Sequence, residues 1–373
     1  MAKIHYPKSE KPKKNKTWYK KKTERGLDIW QILFRVLVIV SAAALAISYL
    51  SIFIDPGFMA LPYFFGLYFI PIFILNVTLL IIGLIRMKRY LVISLVALLP
   101  TLFFADLFVK FGGEEKSVSG DEVKVMTYNV GGFGHAAKGM NNAQAMAKIC
   151  EFVAREAPDI LCIQEFAGDS ATVNRILKFL PYRHSTFPGK RYCEGDITFS
   201  RYPIVNSGSI KFEDKYNKCI WCDVRINDVT VRIYNCHLLS TTFSFAGSLK
   251  RLTKKDEFTD EVKSVHERLS HTNIQRSQQV SAIHDHIAAC TIPTMVCGDF
   301  NDTPMSYTYH RLASRHKDSF ADGGNGFGAT YSVLWPLLRI DYILTPQNVS
   351  CDRTHTTRVP YSDHYPVSTL IYF

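Results

Sequence analysis

The alternation of apolar and polar positions divides the chain near residue 110. Residues 1–26, MAKIHYPKSEKPKKNKTWYKKKTERG, are polar and lack apolar periodicity, which predicts a solvated basic tail. Three apolar runs follow, over 32–54, 61–85 and 91–109. Each approaches the roughly 20 residues that a helix needs to cross the hydrocarbon core, so residues 27–110 are expected to form three transmembrane helices. The first run is too long for the core of a cleaved signal peptide, and no small-residue cleavage site follows it. A polar, glycine-bearing linker is expected over 111–122. From 123 to 373 the period changes. Short β-rich runs (VKVMTYNV, DILCIQEF, DITFSRYPIV, CIWCDVRI, TVRIYNCHL, TMVCGDF, RIDYILT) read as strands. Between them, NNAQAMAKICEFVAREAP and NIQRSQQVSAIHDHIAAC show the i, i+3, i+4 spacing of helices lying on a sheet. This is an α/β or α+β pattern.

Charge matters here mainly through its location. Of the net +11, +8 belongs to residues 1–26, +2 to residues 27–110 and +1 to the rest. The basic excess therefore concerns membrane topology rather than a duplex-binding face. Lys/Arg-rich flanks stay cytoplasmic, which places the tail inside, DPGFMA (55–60) outside and RMKRY (86–90) inside. The domain after Lys110 is then extracytoplasmic, in the periplasm if the cell is Gram-negative, on an integral protein of the inner or plasma membrane. No ionisable group lies mid-span, as a channel or pump would require; Arg35 and Asp106 sit near span ends. All nine cysteines lie between Cys150 and Cys351, an odd number that leaves a free thiol or no disulfides at all. Cys219 and Cys222 fall on opposite faces of an expected strand, unsuited to a zinc site.

Polar residues of a few kinds recur where the expected strands stop. Asn129 closes the first, Gln164 and Glu165 the second, Asn235 and His237 a middle one, Asp299 and Asn301 a later one. Asp341 lies in RIDYIL, and Asp363 with His364 in YSDHYPV. Asn235 and His237 share a strand face, while Cys236 points the other way into a core. Carboxylates and amide oxygens suit a hard cation, and Mg²⁺ typically takes one or two carboxylates plus water and substrate phosphate. Glu165, Asn129 and Asp363 fit that ligand set, with Mn²⁺ as a substitute. Two histidines, each held by a carboxylate, would supply acid/base or phosphate-binding groups: His364 with Asp341, and His237 with Asp196. This inventory describes metal-assisted attack of water on a phosphate ester.

TYNV, PDILCIQE, GDITFSRYPI, YNCHL, CGDFND, RIDYIL and SDHYPV resemble, in order and spacing, the motifs of the endonuclease/exonuclease/phosphatase (DNase I-like) superfamily. That superfamily includes pancreatic-type deoxyribonucleases, abasic-site endonucleases, neutral sphingomyelinases and inositol-polyphosphate 5-phosphatases. The resemblance covers about residues 123–373. It implies an α/β, four-layer sandwich of two mixed β-sheets flanked by helices, with the site at one sheet edge. By matched motif, Glu165 is the expected metal carboxylate, with Asn129 beside it and Asp363 near a second metal position. The resemblance implies that Asp299 would orient or deprotonate water and that Asn301 would contact the phosphate or the transition state. His364, held by Asp341, would contact the scissile phosphate, and His237 would be the second phosphate-side histidine or the proton donor to the leaving oxygen. Arg276 and Gln279 resemble the family's R-x-x-Q, expected to be structural.

Two departures stand out. GDITFSR carries Asp196 where the family often has Asn, and a long insert containing LKRLTKK (249–255) separates His237 from Arg276. Asp302 is expected to cap a turn, and Tyr331 either approaches the substrate or packs. The expected activity is a membrane-anchored Mg²⁺-dependent phosphoesterase. Its partners would be the lipid bilayer and a phosphate-ester substrate carried by a lipid head group, nucleotide or nucleic acid; no protein partner is implied. The rival reading is a catalytically silent, membrane-anchored binding domain that retains the fold.

Overall fold

The computed structural model describes residues 29–86, 91–111, 120–134, 139–176, 178–187, 192–212, 218–240 and 258–372. The basic tail, most of the expected linker and the LKRLTKK segment lie outside these residues.

The apolar third forms helices α1 (Ile29–Leu50), α2 (Leu61–Leu67), α3 (Phe69–Arg86) and α4 (Leu91–Leu98), the last continued by a 3₁₀ turn over Leu99–Phe103. Here the expectation of three transmembrane helices needs correction. Among the described residues only α1 is by itself long and apolar enough to span a membrane. The second run bends by 69° between α2 and α3, and the third gives a shorter apolar helix. Proline explains both breaks. Pro71 cannot donate a helical N–H, and its ring clashes with the carbonyl four residues back, at Leu67, where α2 ends. Pro100 likewise marks the place where α4 gives way to the tighter 3₁₀ turn.

The rest of the chain builds two six-stranded sheets. One has the order β10 (His316–Asp318), β12 (Asp341–Pro346), β9 (Thr294–Asp299), β8 (Val229–His237), β7 (Lys218–Ile226), β6 (Ile204–Lys211). The other runs β13 (Ser350–Thr356), β14 (Val367–Tyr372), β2 (Glu122–Asn129), β3 (Ile160–Asp169), β5 (Tyr192–Ser200), β4 (Tyr182–Ser185). A two-stranded ribbon pairs β1 (Val109–Lys110) with β11 (Gly326–Phe327). Within each large sheet one pair is parallel, β2 with β3 and β8 with β9, so both sheets are mixed.

Strand alternation sorts the side chains into three apolar layers. Val123, Val125, Ile160 and Cys162 from one sheet meet Cys222, Val231, Ile233, Met295, Cys297 and Ile343 from the other, filling the seam between the sheets. Met126, Tyr128, Leu161 and Phe199 face outward onto α5 (Asn142–Glu156), beside α6 (Ser170–Ile176). Tyr234, Cys236, Val296 and Tyr342 face α7 (Phe258–Ala288) and α8 (Tyr307–Ala313) on the far side, with α9 (Ser319–Gly323) following β10. The expected four-layer sandwich is therefore present. Cys219 and Cys222 belong to different layers, and the eight described cysteines are free.

The helices are docked onto the sandwich. The Ser51 hydroxyl donates to the carbonyl of Met305 at 2.7 Å, and Met305 packs with Leu45, Ile52 and Phe69. Phe64 of α2 stacks on His266 of α7. At the exit of the apolar region, Gly328 donates its N–H to the Phe108 carbonyl and Arg339 donates to that of Leu107.

Candidate active site

The site is the polar end of the inter-sheet seam. Asn129 continues the inward face of Val123 and Val125, Asn235 and His237 that of Val231 and Ile233, and Asp299 that of Met295 and Cys297. Register sets these residues side by side, with His237 opposite Asp299 on the parallel β8–β9 pair and Asp299 opposite Asp341 on β9–β12. Close β8–β9 approach requires Gly298, where an added Cβ would lie 2.0 Å from the Cys236 carbonyl oxygen. Glu165 reaches the same place differently. It has the parity of Ile163, which faces the helix-side layer, but a register shift between Ile163 and Phe166 puts it at φ 52 and re-aims its side chain. Asn301, just past β9, is likewise left-handed at φ 51.

A chain of hydrogen bonds joins the site groups. Asn129 Nδ2 donates to Glu165 Oε1 and to Asp299 Oδ2, both at 3.0 Å. Its Oδ1 accepts the Gly131 N–H at 2.9 Å, so Asn129 bridges two carboxylates as a donor while its oxygen keeps a second lone pair. Asp299 Oδ1 accepts the Asn301 N–H at 2.8 Å, and Asn301 Nδ2 donates to Asp299 Oδ2 and to the Leu238 carbonyl. His364 Nδ1 lies 2.9 Å from Asp341 Oδ2, as expected, and its Nε2 lies 3.8 Å from Asp299 Oδ2. The expected His237–Asp196 pair is looser, with Nδ1 and Oδ1 3.7 Å apart, and His237 Nε2 lies nearer Glu165 Oε1 at 3.3 Å. Tyr331 packs its ring edge against His364 with centroids 5.3 Å apart.

Burial sharpens the electrostatics. Burial alone would lower the His364 pKa, but Asp341 and Asp299 raise it to about 10; His237 is raised to about 9 against its burial by Glu165, Asp196 and Asp299. Glu165 is lowered to about 2, since hydrogen bonds from His237 and Asn129 outweigh its burial. Asp299 is raised to about 6 by burial, against the pull of His364, and Asp196 also rises to about 6 by burial.

Among the described residues, two groups bring ligand atoms within 4.8 Å of one another: Glu165, His237 and Asp299, and Asp299, Asp341 and His364. Asp363 belongs to neither; its Oδ1 accepts from the Ser362 hydroxyl, and its carbonyl accepts the Ser332 N–H. The carboxylates of the first group, Glu165 and Asp299, fit a hard cation. Both partners of Glu165 sit on Oε1, and its side chain is 40% exposed, which leaves Oε2 for a cation.

Several supporting contacts were not legible in the sequence, although Gln164 and Asn235 stand out there as polar residues at strand ends. Gln164 Nε2 donates to Asn235 Oδ1 at 2.7 Å, a buried bond that crosses from one sheet to the other directly behind the site. The Thr330 hydroxyl accepts the N–H groups of Ile340 and Asp341, and Ser362 donates to the Asn129 carbonyl. Thr330 and Ser362 lie in loops, where period carries no signal. Asp302 does more than cap a turn. It accepts the Thr303 N–H and pairs at 3.2 Å with the buried Arg276, which, with Gln279, holds the backbone of Leu239. Arg276 and Gln279 are thus structural.

The model of the Endonuclease/Exonuclease/phosphatase family matches residues 126–364, and that of a domain of unknown function, DUF8431, matches residues 31–107. No curated protein matches the chain. Among solved structures, an endonuclease/exonuclease/phosphatase from Beutenbergia cavernae DSM 12333 aligns with a TM-score of 0.50 at 17% identity, covering 68% of this chain and 72% of its own. TDP2 from C. elegans aligns at 0.47 and 17% identity (69% and 77% covered), and an endonuclease/exonuclease/phosphatase from Bacteroides vulgatus at 0.48 and 17% (68% and 99%). The first of these shares the fold seen here, and the family motifs end the strands that carry Asn129, His237 and Asp299, whereas β3 runs on past Glu165 to Asp169. The chain therefore belongs to the Endonuclease/Exonuclease/phosphatase family, hydrolases of phosphate ester bonds that generally depend on a divalent metal.

Proposed function

We propose that this chain is a membrane-anchored, Mg²⁺-dependent phosphoesterase whose catalytic domain lies outside the cytoplasm. The observation that carries the chemistry is the position of Asp299 Oδ2, bound by Asn129 at 3.0 Å and 3.8 Å from His364 Nε2. A buried carboxylate beside a cationic imidazole can take a proton from water while the imidazolium draws charge from the phosphoryl oxygens. Asp341 fixes the orientation of His364. His237, protonated at neutral pH, is placed to give a proton to the leaving oxygen. Asn301, with its amide already donated to Asp299 and Leu238, aligns Asp299 rather than gripping the phosphate. Glu165, beside Asp299, would hold the cation, Mg²⁺ by its preference for carboxylate oxygen and Mn²⁺ as a substitute. The cation would supply positive charge to the phosphate.

Placement relative to the membrane rests on α1. At 22 residues it is about 33 Å long, enough to cross the hydrocarbon core. The basic tail precedes one end, and Ser51, one residue past the other, contacts Met305 of the catalytic domain. Tail and site thus belong to opposite sides.

The full chain in detergent, assayed on bis(p-nitrophenyl) phosphate with Mg²⁺ and then with EDTA, tests the reading. Metal-dependent turnover lost in Asp299→Asn is expected; no turnover under any divalent metal would favour the silent binding domain.

A further inference from the structure

Residues 326–338, GFGATYSVLWPLL, carry no charged side chain. Phe327, Val333, Trp335 and Leu337 remain 50%, 54%, 37% and 42% exposed. The other exposed large hydrophobics of the described catalytic domain, Tyr182, Val205, Val229 and Val262, are dispersed along the chain. Single exposed apolar residues need no explanation, but a contiguous group in one loop marks a contact surface.

Both ends of this loop are tied to the point where the chain leaves the apolar helices. Phe327 pairs with Val109, Gly328 donates to the Phe108 carbonyl, and Arg339 donates to that of Leu107. Phe108 in turn stacks 5.5 Å from Phe69 of α3. On its other side the loop frames the site. Tyr331 forms a β-bridge with His364, and Ser332 donates to the Asp363 carbonyl at 2.8 Å.

We infer that this loop seats in the interfacial layer of the same bilayer that holds the apolar helices, and that the site therefore acts on phosphate esters carried by lipids of that bilayer. Continuity decides the occupant. The loop pairs with Val109 and hydrogen-bonds to Phe108, next to exposed Phe111 and at the end of the apolar region that exposes Leu102 and Phe103, so one lipid surface would cover both. Trp335 suits that layer, being apolar in body with a polar N–H. Arg358 holds its guanidinium over that ring at 4.6 Å, which puts a cation beside the apolar loop where lipid phosphate can meet it. The seating stands on geometry alone; the choice of substrate rests on the phosphoesterase reading above.

The test uses the full chain in nanodiscs of phosphatidylethanolamine, phosphatidylglycerol and phosphatidic acid, with and without brominated acyl chains. The fluorescence difference between wild type and Trp335→Phe isolates Trp335, and loss of that component in brominated discs is expected. An unquenched Trp335 overturns the seating and points to a protein partner or second copy over the loop. Val333→Asp/Leu337→Asp should lower the ratio of disc-lipid to bis(p-nitrophenyl) phosphate hydrolysis by roughly tenfold, because the seating of both side chains is lost. Wild-type turnover of the soluble diester without turnover of any disc lipid overturns the substrate assignment. If neither is hydrolysed while Trp335 is quenched, the phosphoesterase reading fails and the seated loop is upheld.

Discussion

Nδ1 of His364 stands 2.9 Å from Oδ2 of Asp341, with both side chains buried, so the carboxylate fixes which ring nitrogen faces the reaction. His364→Ala should lower turnover by roughly 10²–10⁴-fold, the usual span for a lost acid/base or charge-stabilising group. Asp341→Asn should act through His364, leaving the double variant little worse than His364→Ala. Steady-state kinetics on folded variants, judged by circular dichroism, checks this. Full additivity would remove Asp341 from the orienting role.

Metal dependence should run through Glu165. Dialysis against EDTA should abolish turnover, and Mg²⁺ or Mn²⁺ should restore it. Glu165→Gln keeps the shape but removes the charge, so it should raise the metal concentration for half-maximal activity. Calorimetric titration of metal into both proteins gives a readout independent of turnover. Equal affinities would take Glu165 out of the coordination sphere.

Gly66 marks the contact between helices and sandwich. A Cβ there would lie 2.3 Å from both the Met305 carbonyl oxygen and the Ser51 hydroxyl. Gly66→Ala should therefore push the two apart and cost about 1–3 kcal/mol, the usual penalty for overpacking. Thermal melting of the full chain in detergent measures this, and an unchanged melting temperature would mean that the contact is absent in solution.

His310 gives the fold an acid sensitivity of its own. It packs edge-on to Phe104, and burial pushes its pKa from the ordinary 6.5 down to about 4. The folded state favours the neutral ring, whereas the unfolded chain takes up a proton near 6.5. The contribution is complete above about pH 6.5 and is lost as pH falls toward 4, at most about 3 kcal/mol. His310→Phe should flatten the dependence of melting temperature on pH in that window. A slope identical to wild type would assign the sensitivity elsewhere.

Topology has a direct check. Alkaline phosphatase fused after residue 373 should be active in a bacterial host, because that enzyme matures only outside the cytoplasm. Activity of a cytoplasm-restricted reporter instead would reverse the orientation.

Much of this arrangement was legible because strand period carries far. The parity of Asn235 and His237 against Cys236 placed two polar side chains in the seam and one thiol in the helix-side layer. Asp299 and Asp341 were found through their motifs, and register then made them neighbours. Glu165 illustrates the limit. Parity alone sends it to the wrong face, and only a bulge, which depends on pairing with β5, returns it. The hydrogen-bonding direction of Asn129 was equally invisible, since it depends on the Gly131 N–H taking its oxygen. Hydropathy likewise read the second apolar run as one span because it weighs side chains, whereas Pro71 acts on the backbone.

The left-handed backbone at Glu165 and Asn301 bears on whether this domain is in use. For a residue with a Cβ, that conformation costs roughly 1–2 kcal/mol relative to an ordinary strand or helix geometry, a cost glycine escapes. A sequence shaped only to persist as a scaffold would fold more readily with glycine at both positions. This one instead places a carboxylate and an amide there, beside a second carboxylate, that of Asp299, which is buried almost completely. Glycine at position 165 should therefore give a protein that is inert yet tougher. Such an opposition between durability and turnover is what a working phosphoesterase would carry, and a silent binding domain would have no reason to keep it.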